Sequence, residues 1–241
     1  MKEKRKMKDK PRVLIIIPAY NEEESICRVV NEIRENYSEY DYVVVNDGSK
    51  DNTVQVCIEN GYNLLNLRIN CGLTAAFQTG TKYAYKNGYD YAIQIDGDGQ
   101  HQPKYIKDMV TCAEEKNADV VIGSRFVNQK KNHSMRMIGS RLITGLIKMT
   151  TGRRVSDPTS GMRLYNNRII KAFSCKDSLR PEPDTISWLV KSGAKIEEIP
   201  VVMLDRQEGE SYLNVTKSIK YMWKMCFSIA IVQQLRGREL M

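Results

Sequence analysis

Asp96, Asp98 and Gln100 alternate with glycine in the run Asp96-Gly97-Asp98-Gly99-Gln100. In an extended segment alternate side chains share a face. Two carboxylates and an amide oxygen would then form a hard oxygen cradle suited to Mg²⁺ or Mn²⁺, with coordination positions left over for phosphate oxygens. The intervening glycines let a ligand approach the backbone. Taken alone, an Asp-x-Asp turn also occurs with no ion. Here it follows an apolar run, and two further polar loops, Pro18-Ala19-Tyr20-Asn21-Glu22 and Asn46-Asp47-Gly48-Ser49, close two others.

Charge points to a second functional region. The formal charge is +8, but residues 1–12 carry net +5 and residues 125–168 net +9, so the rest of the chain is acidic. The N-terminal run reads as a solvated tail or as a contact for an anionic membrane surface. The second block suggests a phosphate-rich ligand or an anionic membrane. No zinc-finger spacing and no basic motif interleaved with aromatics is present, which argues against a nucleic-acid partner. Gly-x-Gly-x-x-Gly does not follow the first apolar run and no P-loop occurs, which disfavours dehydrogenases and P-loop NTPases.

These loops need a scaffold, and 241 residues with 41% hydrophobic composition suffice for one sizeable core. Strands are expected at 13–17, 42–45, 64–67, 91–95, 120–122, 160–165 and 195–200. Helices are expected at 22–35, 51–60, 74–86, 103–116, 135–150, 184–192 and 215–236. The β-α alternation predicts an α/β fold with a mostly parallel sheet and helices on both faces. Ligands of such sheets sit beyond the carboxyl ends of the strands, where all three polar loops fall. The domain reading is a basic tail at 1–11, a catalytic domain at 12–212 and an amphipathic helix at 213–241.

In that last helix Ile219, Met222, Cys226, Ile229 and Ala230 make an apolar stripe, with Lys217, Lys220 and Lys224 to one side. The stripe either packs on its own domain or meets a membrane interface or a small membrane partner. Six cysteines without Cys-x-x-Cys spacing read as reduced thiols. With no apolar run of spanning or secretory type, the expected location is cytoplasmic, peripheral on the inner face of the membrane.

The three loops, together with Asp157-Pro158-Thr159-Ser160-Gly161-Met162-Arg163 and Arg206-Gln207-Glu208-Gly209-Glu210-Ser211, resemble the family 2 glycosyltransferases of GT-A, Rossmann-like fold. Within that family the chain is most similar to the dolichol-phosphate mannose synthase and polyprenyl-phosphate glycosyltransferase branch, over about residues 12–215. The resemblance implies that Pro18, Tyr20, Glu22 and Asp47 hold the base and ribose of a nucleotide-sugar donor. It implies that Asp96, Asp98 and Gln100 hold the metal on its diphosphate. Arg125, Arg136 and Ser140 would bind a lipid acceptor phosphate, and Arg206 would reach the donor phosphates as its loop closes. The chain departs from the family at Asn46, where relatives usually carry Asp, and at Leu73, where they often carry a basic residue.

Such an enzyme must stabilise a departing nucleoside diphosphate, for which a metal and an arginine serve electrostatically. Single inversion follows if the acceptor attacks from the opposite face. A sugar hydroxyl would need a general base, and Asp157 is the candidate, although it also reads as a turn cap before Pro158. A phosphate monoester, ionised near neutrality, needs cations instead, and the net +9 block supplies them. The expected function is therefore transfer of a sugar to a polyprenyl phosphate. The alternatives are transfer to a saccharide hydroxyl, or a partner protein that binds nucleotide-sugars without turnover.

Overall fold

A computed structural model describes residues 10–128, 135–204 and 215–238, without the side chains of 135, 136 and 215–219. Most of the basic tail expected at 1–11 lies outside the described residues, as does the loop containing Arg206.

The sheet contains β1 (Val13–Ala19), β2 (Asp41–Asp47), β3 (Leu64–Leu67), β4 (Tyr91–Gln94), β5 (Val120–Ser124), β6 (Arg163–Asn166) and β7 (Ile196–Pro200). They lie in the order β3-β2-β1-β4-β6-β5-β7. β6 runs antiparallel to both neighbours, and the other pairs are parallel. All seven residues of β1 are buried, which is why its sequence is a continuous apolar run rather than an alternating one.

Both sheet faces are covered. Leu14, Ile16, Val43, Val45, Val120 and Ile122 face α3 (Leu73–Lys86), α5 (Met135–Thr151), α6 (Asn167–Cys175) and α7 (Pro183–Lys191). Val13, Ile15, Ile17, Val44, Ile93 and Val121 face α1 (Ile26–Asn36), α2 (Thr53–Glu59) and α4 (Ile106–Lys116). On the first face Phe77, Tyr165 and Phe173 form an aromatic cluster, with ring centroids 5.5 Å (Phe77–Tyr165), 5.0 Å (Phe77–Phe173) and 5.2 Å (Tyr165–Phe173) apart. It joins α3 and α6 across β6.

The expected α/β architecture is present, with local differences. The helix expected from residue 22 begins at Ile26, because the N–H groups of Glu22 and Glu23 bond Thr53 Oγ1 (2.9 Å) and Asp51 Oδ2 (3.1 Å) instead of entering a helix. The strand expected from 160 starts at Arg163, since Ser160 bonds Gly123 through its hydroxyl (2.6 Å) and Arg163 Nε through its carbonyl (2.7 Å). α6 was not anticipated; Asn166 caps it by accepting from Ile169 N–H at 3.1 Å. The final helix is divided into α8 (Val215–Phe227), a π-turn (Ser228–Val232) and α9 (Gln233–Leu235).

That last element docks on the domain. Met225 and Ile229 are buried in the core that α3 and α6 share, with Cys226 packed against it. A side chain at Gly139 of α5 would collide with the Met222 sulfur, so α8 lies close against α5 there. The expected stripe of Met222, Cys226 and Ile229 is thus largely the docked face, while Ala230 is exposed and the side chain of Ile219 lies outside the described residues. The solvent face presents Trp223 (74% exposed), Phe227, Ile231 and Leu235. All six cysteines are unpaired, and among the described residues no helix is long and apolar enough to cross a membrane.

Removing the Phe77 ring opens a cavity at the point where three elements meet. Phe77→Ala is expected to cost about 3–5 kcal/mol, read as a lower urea midpoint with an unchanged m-value.

Candidate active site

The ends of β1, β2 and β4 meet at one edge of the sheet, and polar bonds lace their loops together. Asn21 takes a left-handed conformation, φ 56°, which asparagine tolerates better than most residues. Its N–H donates to Ser49 Oγ at 2.9 Å, and its side-chain carbonyl accepts from Lys50 N–H at 2.8 Å. These bonds tie the loop after β1 to the loop after β2. The Ser25 hydroxyl lies 2.8 Å from both the Glu22 carboxylate and the Gly97 carbonyl, linking the first loop to the third. Gly48, φ +66°, passes so close to Ile69 and Asn70 that a Cβ would sit 2.4 Å from the Ile69 carbonyl carbon.

Between the loops lies a cleft of about 250 Å³. Pro18, Tyr20 and Glu22 line it from the first loop, Asp47 from the second, and Asp96 and Asp98 from the third. The four residues expected to hold the base and ribose and the first two expected metal ligands are therefore in one place. Asp47 is 3% exposed; its carboxylate accepts from the N–H groups of Cys71 (2.8 Å) and Gly72 (2.7 Å), at the start of α3. Asp96 accepts from the Gln94 amide at 3.0 Å. Asp98 accepts from Gln100 N–H at 3.0 Å and from the Gln100 side-chain amide. Gln100 thus stands beside Asp98, at the margin of the cleft.

His101, which follows the third loop, is buried, and its Nδ1 accepts from Asp96 N–H at 3.0 Å. That bond makes Nδ1 the unprotonated nitrogen, so the 3.5 Å approach of Nδ1 to the Asp96 carboxylate is not an ion pair. A Cβ at Gly161 would lie 3.0 Å from His101 Cε1 and 3.1 Å from Asp96 Oδ2. The segment before β6 therefore presses against the third loop.

A second cluster adjoins this one. Arg125 Nε and Nη2 grip the Asp157 carboxylate at 2.7 Å and 2.9 Å, a bidentate fork that fixes the guanidinium plane. Arg125 N–H and the Thr159 hydroxyl add further bonds at 3.2 Å and 3.0 Å. Asp157 is fully buried. Burial pushes its pKa up, but the hydrogen bonds and charge of Arg125 outweigh this and hold the carboxyl below its usual range. Beneath the pair, Glu198 accepts from the N–H groups of Ser156 (2.7 Å) and Asp157 (2.9 Å), and buried Arg163 donates to the carbonyls of Ser160 and Pro158. Neither Glu198 nor Arg163 was singled out from sequence as a supporting residue: Glu198 acts from β7, 41 positions beyond Asp157, and nothing in the run 157–163 announces that the Arg163 guanidinium folds back onto the carbonyls of Ser160 and Pro158.

Ser140 lies on α5 and is buried. The Arg136 side chain and all of Arg206 lie outside the described residues. The described chain approaches Arg206 at Leu204, whose N–H donates to the carbonyl of Gln100 at 3.1 Å.

The sheet and its helices have the GT-A fold, also seen in glucosyl-3-phosphoglycerate synthase from Mycobacterium tuberculosis. Its complex with Mn²⁺ and UDP-glucose matches with a TM-score of 0.67 at 17% identity, covering 91% of this chain and 79% of that one. The family model for glycosyl transferase family 2 matches residues 14–173, and the chain belongs to that family. It is similar to the undecaprenyl-phosphate mannosyltransferase of Micrococcus luteus, 28% identical over 219 residues, 84% of this chain and 88% of that protein. It is also similar to the UDP-N-acetylglucosamine–dolichyl-phosphate N-acetylglucosaminyltransferase of Methanococcus voltae, 33% identical over 214 residues, 78% of this chain and 84% of that protein.

The Arg125–Asp157 pair carries a pH signature. A depressed carboxyl pKa contributes stability that is present above the unfolded value, near 3.9, and is lost as pH falls through the folded value. Asp157→Asn is expected to destabilise the protein at pH 7. The loss should be less than the roughly 3–5 kcal/mol of a fully buried pair, because Arg125 is 30% exposed. Denaturation midpoints of wild type and variant should converge below about pH 4.

Proposed function

We propose that this glycosyltransferase moves a sugar, with inversion, from a nucleotide-sugar to a polyprenyl phosphate. The observation that carries the donor half is the convergence of Pro18, Tyr20, Glu22, Asp47, Asp96 and Asp98 on one cleft at the carboxyl edge of parallel strands. In this reading Pro18, Tyr20, Glu22 and Asp47 hold the base and ribose. The acceptor half is supported by the names of the relatives and by the cationic Arg125 beside that cleft.

The donor set fits a divalent cation. Asp96 and Asp98 offer hard carboxylate oxygens from either side of Gly97, with the Gln100 amide beside them. Among the described residues no three His, Cys, Asp or Glu side chains form a protein-only cage. Mg²⁺ and Mn²⁺ commonly take one or two carboxylates and complete their shell with phosphate oxygens and water, and Asp96 and Asp98 suit that arrangement. Bound there, the ion would neutralise the charge that develops on the leaving diphosphate.

The chain's own residues do the rest. Arg206, two residues beyond Leu204, is placed in sequence to add positive charge to the same diphosphate. Arg125, its plane fixed by Asp157, presents a rigid donor to an acceptor phosphate; Ser140 and, from its place in the sequence alone, Arg136 are assigned to the same acceptor. An already ionised phosphate needs no base to attack. Asp157, with both oxygens engaged and its basicity lowered, suits orientation of Arg125 better than proton abstraction. In the second reading, transfer to a saccharide hydroxyl, Asp157 would have to leave Arg125 to serve as base.

A lipid acceptor brings the site to a membrane surface. Trp223, Phe227, Ile231 and Leu235 on the final helix, with Leu142 and Met149 of α5, expose apolar side chains next to Lys220, Lys224, Arg141 and Lys148. This face suits peripheral attachment to the cytoplasmic side of an anionic membrane. It suits a small membrane partner less well, because its cations are interspersed with the apolar groups.

Asp98→Ala is expected to lower turnover by at least about 10²-fold, measured as radiolabelled sugar entering a mild-acid-labile lipid; label resistant to mild acid would favour the hydroxyl acceptor. Wild type should float with phosphatidylglycerol vesicles at low salt, and Trp223→Ser with Phe227→Ser should leave most of the protein at the bottom of the gradient. Undiminished flotation of the double variant would remove this face from the account.

A further inference from the structure

A larger cavity, about 620 Å³, shares no residue with the donor cleft. It opens between the segment ahead of α7, the first turn of α7, α8 and the end of the final helix. Its floor is Asp184. One carboxylate oxygen accepts from the Ser228 hydroxyl at 2.6 Å and the Gln233 amide at 3.0 Å; the other accepts from Thr185 N–H at 2.9 Å. Residues five apart diverge by about 140° on an α-helix. The wider i→i+5 turn at Ser228–Val232 brings Ser228 and Gln233 to the same carboxylate.

This arrangement leaves one acceptor without a donor. Gln233 is 4% exposed, and its Oε1 has no hydrogen-bond partner among the described residues. Rotating the amide would not help, because it would set the carbonyl oxygen against the Asp184 carboxylate. A buried carbonyl of this kind calls for a donor on a bound molecule.

The rim supplies the complementary signal. Arg180, Lys224 and Arg236 line the cavity. Arg180 and Lys224 have no ion-pair partner among the described residues. Arg236 donates to Ser178 and lies over the Trp188 ring, 4.9 Å from its centroid. The two acids of the cavity already have donors, Asp184 as above and Glu182 from the Tyr221 hydroxyl. The bonding capacity left over is cationic at the rim and a single acceptor inside.

We propose that this cavity is a binding site for a hydroxyl-bearing phosphate ester. Its phosphate oxygens meet Arg180, Lys224 and Arg236, and its hydroxyl donates to Gln233 Oε1. Val232 and Leu235 line the same cavity and are exposed, so the ester can be a phospholipid head group whose chains leave along them, or a free polyol phosphate.

The test uses the full chain with two probes, soluble glycerol phosphate and vesicles of phosphatidylglycerol in phosphatidylcholine. Wild type is expected to bind glycerol phosphate at millimolar concentration, and methyl phosphate, which lacks the hydroxyl donor, about tenfold more weakly. Arg180→Ala should weaken glycerol phosphate binding about tenfold. That side chain is exposed, so the variant should keep its thermal midpoint, and it should transfer sugar to a detergent-solubilised acceptor at the wild-type rate. If vesicle binding also depends on Arg180 and prefers phosphatidylglycerol to phosphatidylcholine, the source is lipid; if only the soluble ester depends on it, it is the free ester. The proposal is overturned if neither probe binds, if the variant binds both as well as wild type does, or if methyl and glycerol phosphate bind equally.

Discussion

The site depends on holding several carboxylates in one small cleft. Glu22, Asp47, Asp96 and Asp98 all face it, and like charges so placed repel in the absence of compensating groups. The fold answers with hydrogen-bond donors that belong to the loops themselves. Asp47 takes two backbone N–H groups at the start of α3, Asp98 takes the N–H and amide of Gln100, and Glu22 takes the Ser25 hydroxyl. Because each donor sits on a loop that must be correctly placed to reach its acid, the carboxylates and the loop positions enforce each other.

The basic half of the edge uses the opposite device. Arg125 is immobilised by a buried carboxylate, which is itself backed by Thr159 and by backbone N–H groups held on Glu198. A guanidinium fixed in this way loses little conformational freedom when it meets an anion. The cleft gathers acids suited to a cation and a diphosphate, while the neighbouring cluster offers a preset cation.

Much of this was legible in the sequence, for local reasons. β1 and β2 carry uninterrupted apolar runs and the run at 91–95 is broken only by Gln94, each being closed by Pro18, Asn46 or Asp96, so strand, loop and edge could be read together. The three loops were identified by residue type and spacing, and the cleft collects them. What could not be read depends on contacts between distant segments. The start of α1 is moved by Thr53 and Asp51, the strand before Asn166 is shortened by bonds from Ser160, and His101 is buried by Gly161. α6 was missed because Asn166-Asn167 reads as a turn when its capping role is not known. The stripe on the final helix was seen, but which face docks and which meets solvent was set by α5, through the close approach of Gly139 to Met222. The fork between Arg125 and Asp157 joins residues 32 positions apart, and nothing in either motif alone announces it.

The reversed strand β6 has a consequence for how such an enzyme can change. In an all-parallel sheet the residues leading into a strand emerge at the edge remote from the ligand. Because β6 runs backwards between β4 and β5, residues 157–162 arrive at the same rim as the donor loops, yet they are encoded well downstream of them. In the proposed assignment, substitutions in that later stretch would reshape what receives the sugar while the earlier stretch, which would grip what delivers it, stays as it was. One change of strand direction would thus separate the inheritance of the two specificities.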